Sequence, residues 1–285
     1  MARLVGAGWV ILLSLGTAWS QDAGVLRACL LANNPPYSWQ ADESGFDLET
    51  ARAVAEAMGR GFQPVWIEHD TRITEIEETD LPVFGLARGR CDAIFSVPGQ
   101  DALNEALDEA PTLVVGEPYY GAGFELVGPT AKSLRSLDEV GDGAVAVRAQ
   151  TIANFMLSAR KIQTFTVFSL EEALGAVGSG RAAAALLWGP KAGWHLRAHP
   201  ELPLRIVDGL EPPSVVRWNE SVATRKDDAE LRQAIDAALG SLTESGALTR
   251  LLDKYGIPAH RPFATTYSFA EMQQLMFQSL SNRQP

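Results

Sequence analysis

The order strand, helix, strand, helix, strand is written twice in this chain, and that duplication limits the fold more than any other feature. In the first copy residues 26–31 (LRACLL) form a strand. Gly45-Phe46-Asp47 then opens a helix, with Asp47 placed to cap it by accepting backbone N–H bonds. Leu48, Ala51, Ala55 and Met58 recur at helical spacing and predict its buried stripe. A strand at 62–67, a short helix at 83–88 and an apolar strand at 91–97 complete the unit. The second copy has strands at 144–147, 164–168 and 182–187, with helices at 151–159 and 170–177. Gly89-Arg90 and Gly180-Arg181 stand before equivalent strands, about ninety residues apart, too long a period for a solenoid. Each unit predicts a small, mainly parallel sheet covered by helices. Such sheets bind ligands outside the carboxyl ends of their strands, so two units facing one another enclose a cleft.

The stretch from Cys91 to Gly128 joins the copies. Its strand stops at Pro98-Gly99, an acidic segment follows, and the turn around Gly116–Gly121 leads to a second strand at 124–127. A return strand at 221–224 precedes a long helix bearing Leu231, Ile235, Ala238 and Leu239 on one face, then a helix at 246–254. Beyond it, Phe269, Met272, Leu275, Met276 and Phe277 make a stripe that predicts a final helix.

Residues 1–20 read as a secretory signal peptide: Arg3, an uncharged apolar run, then Ala18-Trp19-Ser20. Without Arg3 the net charge changes from −11 to −12. That charge, with no basic patch, argues against nucleic acid. Two cysteines, Cys29 and Cys91, allow one bridge and no metal motif, and two buried thiols are the alternative. His195 and His199 have the i, i+4 spacing of some zinc ligands, but no cysteine or HExxH pattern accompanies them, so neither metal nor cofactor is expected. No GxSxG and no Cys/His/Asp grouping suggests an enzyme.

Five ordered pieces carry a resemblance over residues 25–258. They are LRACLLANNPPYSW, GFDLETARAVAEAMG, GRCDAIFSV, EPYYGAGFELV and SVATRKDDAELRQAIDAALGSLTESGALTRLLDKYGIP. In that order they resemble the type II periplasmic solute-binding proteins of the polar amino-acid uptake group. The resemblance implies an α/β, two-lobed periplasmic-binding-protein fold (type II), each lobe a small mainly parallel sheet flanked by helices. Lobe 1 would comprise 21–121 and 222–258 and lobe 2 122–221, with a C-terminal extension at 259–285. The crossings would lie near 120–127 and 215–223, and the lobes would close by hinge motion. It further implies a periplasmic monomer that captures a small molecule, with an ABC transporter permease as a further partner. Cys29 and Cys91, in their contexts, are similar to cysteines of solute-binding-like proteins that accompany periplasmic quinoprotein (methanol-type) dehydrogenases, which implies their pairing. A role as accessory or partner protein of such a dehydrogenase is therefore the alternative. In this fold the first and third strands are neighbours about 4.8 Å apart, within the roughly 4.4–6.8 Å a disulfide needs between Cα atoms.

Tyr37 matches the family's ligand-stacking aromatic, with Trp39 beside it and Tyr120 at the first crossing. Ser96 and Gln100 follow the Cys91 strand and offer polar groups to the cleft. Arg148 and Thr151 sit where a strand meets a helix N-terminus, suited to an anion. Trp188 ends the last repeated strand. Amino-acid binders of this family use an arginine after the strand corresponding to 91–97 and an acid at the end of that corresponding to 182–187. Here no Lys or Arg occurs between Arg90 and Lys132, and Trp188 falls at the acid's place. A free α-amino acid is therefore not the expected ligand; the aromatics suggest a less polar solute or a protein segment.

Overall fold

The computed structural model describes residues 24–68, 81–98 and 112–266, with 271, 273, 274 and 277. The signal peptide, the acidic segment at 69–80, Gln100 and all but Phe277 of the final apolar stripe lie outside the described residues. Phe277 is helical and 69% exposed.

In the first half, β1 (Val25–Leu31) pairs in parallel with β4 (Gly61–Ile67). A hairpin of β2 (Asn33–Asn34) and β3 (Ser38–Trp39) follows β1. Helices α1 (Phe46–Ala57) and α2 (Pro82–Ala87) cover the sheet. β5 (Ile94–Pro98) lies on the other side of β1, joined through a parallel bridge from Ala28 to Ala93. The strand expected from Cys91 thus begins three residues later. Cys91 is held in a bridge to Cys29, with Cα atoms 5.5 Å apart. Asp92 is pinned by Arg27 at 2.7 Å and Arg225 at 3.2 Å, and its backbone N–H donates to the Arg27 carbonyl of β1 at 2.8 Å, one residue before the bridge at Ala93. The two guanidinium partners outweigh burial and hold the Asp92 carboxyl below its ordinary pKa.

β6 (Leu113–Val115) leads to β7 (Tyr120–Pro129), longer than the four residues expected. The second half holds β8 (Val145–Arg148), α3 (Ile152–Ala159), β9 (Thr164–Val167), α4 (Leu170–Gly178), β10 (Ala184–Trp188), α5 (Gly189–Ala198) and β11 (Leu204–Ile206). β9, β8 and β10 are parallel neighbours. β12 (Arg217–Arg225) then returns, followed by α6 (Ala229–Glu244) and α7 (Ala247–Lys254). Each half has its own apolar core. Leu26, Phe46, Leu48 and Ile235 belong to one; Leu126, Val145, Leu157 and Leu186 belong to the other. Burial of such side chains at about 25 cal/mol per Å² is the main favourable term in both.

β7 and β12 are the two crossing strands. They pair antiparallel with each other from Tyr120–Glu220 to Gly123–Arg217. Further along, β7 pairs with β10, and the far end of β12 pairs with β5 and β6. β12 begins at Arg217 and not at 221, because the chain leaves a 3-10 turn at Ser214–Val216 directly into the ladder.

Alternation gives this two-stranded ribbon two faces. Tyr120, Phe124, Trp218 and Glu220 share one. Gly121, Gly123, Glu125, Arg217 and Asn219 share the other, where residues 260–265 run across it as a strap. Gly121 N donates to the His260 carbonyl at 2.9 Å, and His260 Nε2 lies 2.7 Å from the buried Glu125 carboxylate. The Asn219 side chain exchanges two hydrogen bonds with the Phe263 backbone, and Arg217 lies over the Phe263 ring, 4.5 Å from its centre. A Cβ at Gly121 would come within 2.5 Å of that ring, so the glycine is what lets the strap approach.

Asp47 does not cap α1. Gly45 holds that position with no side-chain cap bond, and the Asp47 carboxylate turns inward to Ser96.

Candidate functional site

A cavity of about 610 Å³ lies between the halves, against the cleft face of the ribbon. Its floor comes from the first half and the ribbon. Asp47 sits in the first turn of α1, and Ser96 sits in β5 with a left-handed φ of 49°, a costly conformation away from glycine. That backbone lets Ser96 serve several partners. Its N–H donates to the Tyr119 hydroxyl at 3.0 Å, and its hydroxyl donates to Asp47 Oδ1 at 2.5 Å. The Tyr119 and Tyr120 hydroxyls lie 3.2 and 3.0 Å from Ser96 Oγ.

Glu220 lines the same floor. It is 3% exposed, and its Oε2 has no hydrogen-bond partner among the described residues. Burial pushes its pKa up to about 8, and the Asp47 charge adds to the effect. Burial likewise raises Asp47 to about 7, with the Ser96 hydrogen bond opposing. The Tyr37, Tyr119 and Tyr120 phenols are raised well above their ordinary value, chiefly by burial. Two carboxyls share this floor, and among the described residues neither is paired with a cation.

The walls are aromatic. Trp188, at the end of β10, donates its indole N–H to the Tyr37 hydroxyl across the cleft at 2.7 Å. Phe124 and Trp218 each pack against Trp188 with ring centres 5.6 Å apart, and are 6.3 Å from each other. At the rim stand Arg148, at the end of β8, and Lys191, in the first turn of α5. The walls partly desolvate the Lys191 ammonium and, with Arg148 nearby, lower its pKa.

Of the sequence-derived candidates, Tyr37, Ser96, Arg148 and Trp188 line the cavity. Tyr120 lies just beneath it, in contact with Ser96. Trp39 does not line it: the β2–β3 hairpin holds it outward, 38% exposed. Nor does Thr151, whose hydroxyl caps α3 by accepting from Asn154 N and donates to the Arg148 carbonyl. Sequence reasoning missed Glu220, Trp218, Phe124 and Lys191, and read Asp47 only as a cap. A signal existed for two of them, because Trp218 and Glu220 stand two apart and so share a strand face. Starting the return strand at 221 hid it.

Comparison with known proteins gives four matches. The profile of the bacterial extracellular solute-binding proteins, family 3, matches residues 26–258. Protein MoxJ of Methylorubrum extorquens is 25% identical, over 83% of this chain and 82% of that protein. Among solved structures, the unliganded, open L-cystine solute receptor of Neisseria gonorrhoeae superposes with a TM-score of 0.67 at 20% identity, covering 82% of this chain and 94% of the receptor. MxaJ from Methlophaga aminisulfidivorans superposes at 0.59 with 22% identity, over 82% of this chain and 99% of MxaJ. These likenesses establish the type II two-lobed fold. No helix among the described residues is long and apolar enough to cross a membrane.

Proposed function

This chain belongs to the bacterial extracellular solute-binding proteins, family 3, and from that premise we propose that it is an exported binder, not an enzyme, that captures a small molecule other than a free α-amino acid. Residues 21–121 with 222–258 act as one lobe and 122–221 as the other. They close on the ligand about β7 and β12. The observation that carries the reading is Trp188. Where the family's amino-acid binders place an acid for the ligand's ammonium, this chain has an indole, bonded to Tyr37. The family's carboxylate-binding arginine has no counterpart between Arg90 and Lys132. Loss of both anchors removes several charge-assisted bonds, each worth roughly 1.5–3 kcal/mol. Calorimetry with the standard amino acids is expected to show no micromolar binding, since each 1.4 kcal/mol is about tenfold in affinity. Micromolar binding of any of them would restore an ordinary amino-acid transport role.

A second reading, service as a partner protein of a periplasmic quinoprotein dehydrogenase, is favoured by the similarity to MoxJ over most of both chains. Under it, the tagged protein should retain a quinoprotein dehydrogenase from an extract of its own periplasm at about 0.15 M salt. Recovery of no such enzyme would leave the small-molecule reading alone.

A further inference from the structure

We propose that the cleft takes a protonated aliphatic amine, its ammonium seated between Glu220 and Asp47 and its alkyl chain against Trp188, Trp218 and Phe124. The proposal deepens the small-molecule reading of the same cavity and rests on it.

Three observations converge. First, the Glu220 carboxyl is buried in the cavity floor with Oε2 unpartnered among the described residues. A buried acceptor left unsatisfied is costly, and an N–H donor from a ligand supplies what the protein does not. Second, Asp47 stands on the same floor and is close enough to raise the energy of the Glu220 charge. One positive ligand charge between them relieves burial and mutual repulsion together. Third, the walls beside this floor are two indoles and a phenyl ring in mutual contact. Such rings attract a cation by their negative faces and bury aliphatic carbon, a pairing that suits an alkylammonium better than a neutral or anionic solute. The charge at the rim does not cancel this preference. Arg148 is exposed, where solvent screens it, and Lys191, though partly desolvated by the walls, stands across the cleft at the rim, whereas Glu220 and Asp47 are buried in the floor.

Affinity should depend on pH in a defined direction. The groups facing Glu220 are Asp47 from α1, Tyr37 after β1, and Tyr119 and Tyr120 at the start of β7, with Arg148 and Lys191 across the cleft. The tyrosines, raised well above their ordinary value, remain neutral. An alkylammonium, like lysine, stays protonated to about pH 10. Raising the pH from about 6 to about 9 ionises Glu220 and Asp47 while the ligand keeps its charge, so binding tightens. Within that range, up to the raised carboxyl pKa values, binding releases protons.

The test uses n-hexylammonium, hexan-1-ol and hexanoate, which share an alkyl chain and differ in charge. Indole fluorescence and calorimetry are read on the full mature chain. The ammonium should bind, with the alcohol and the carboxylate about a hundredfold weaker or undetected. Affinity should rise about tenfold or more from pH 6 to 9, and enthalpies in buffers of different ionisation heat should report protons released near pH 7. Glu220→Gln should weaken the ammonium by about ten- to hundredfold. Should that variant fold poorly, the proton release of the parent chain decides alone. Equal binding of alcohol and ammonium, or undiminished affinity in Glu220→Gln, would overturn the assignment. If hexylammonium is silent but a neutral or anionic solute shifts indole fluorescence, the amine falls and the cleft reading stands. If a broad solute panel is silent too, both fall.

Discussion

The Glu220→Gln variant is expected to be more stable than the parent chain at about pH 9, by on the order of 5 kcal/mol, and nearly equal to it at about pH 4. The native carboxyl holds its proton up to about pH 8, against an ordinary value of 4.5. Its folded pKa is raised, so its contribution is fully present below about pH 4.5. It is lost as pH rises, because the unfolded chain ionises freely while the native carboxyl must do so in a buried floor. The loss accumulates through the window from about 4.5 to about 8, at about 1.4 kcal/mol per pH unit. Asp47, raised from 3.8 to about 7, adds a loss of the same sign. A neutral amide of the same shape removes the first loss, while the Asp47 loss, set by burial, is common to both proteins. Urea midpoints of both proteins across this range are the measurement. Asp92, held low by Arg27 and Arg225, loses stability in the opposite direction, as pH falls, but does so equally in both proteins. Only the difference between them reports Glu220. A difference that stays constant with pH would mean that the carboxyl is not desolvated in the native state.

Removing the bridge between Cys29 and Cys91 should cost roughly 4 kcal/mol. The residues are 62 apart in sequence, and closing a loop of that length restricts the unfolded chain by about this much in the chain-entropy account. Both sulfurs lie in the core between β1, α2 and the start of β5, so Cys29→Ser/Cys91→Ser also places two hydroxyls among Ile67, Leu86 and Val115. For a chain of this size the melting midpoint should fall by roughly 8–16 °C, and reductant should reproduce most of the fall in the parent protein. A melt unchanged by the double substitution would show that the bridge constrains nothing the fold does not already constrain. Gly85 makes the site unforgiving in another way, because a Cβ there would stand 2.8 Å from Cys29 Sγ.

Local patterns carried the elements well. The buried face of α1, with Leu48, Ala51 and Ala55, follows the helical period, and Leu231, Ile235, Ala238 and Leu239 are the buried residues of α6. Strand ends were read less well, because they depend on partners elsewhere. β12 reaches back to Arg217 only because β7 offers it a ladder there. The cleft was half legible. Tyr37 and Trp188 could be named from their places after strands, but their hydrogen bond spans 151 positions, and no local signal announces it. The segment at 260–265 read only as part of a C-terminal extension, yet Phe263 and His260 are fitted to the far face of the ribbon.

The sequence by itself determined the duplicated α/β pattern, the buried helix faces and the lack of any Lys or Arg between Arg90 and Lys132. These follow from periodicity and residue type, which act over a few neighbouring positions. Only the tertiary structure decided that Asp47 turns inward to Ser96 instead of capping its helix, and that Glu220 stands beside it with Oε2 unpartnered among the described residues. It also decided that Trp188, Trp218 and Phe124 gather above them. The reason is physical. A carboxyl's ionisation and an aromatic's partner are set by what surrounds them within a few ångströms. Here those surroundings come from α1, β5, β7, β10 and β12, which only the folded chain brings together.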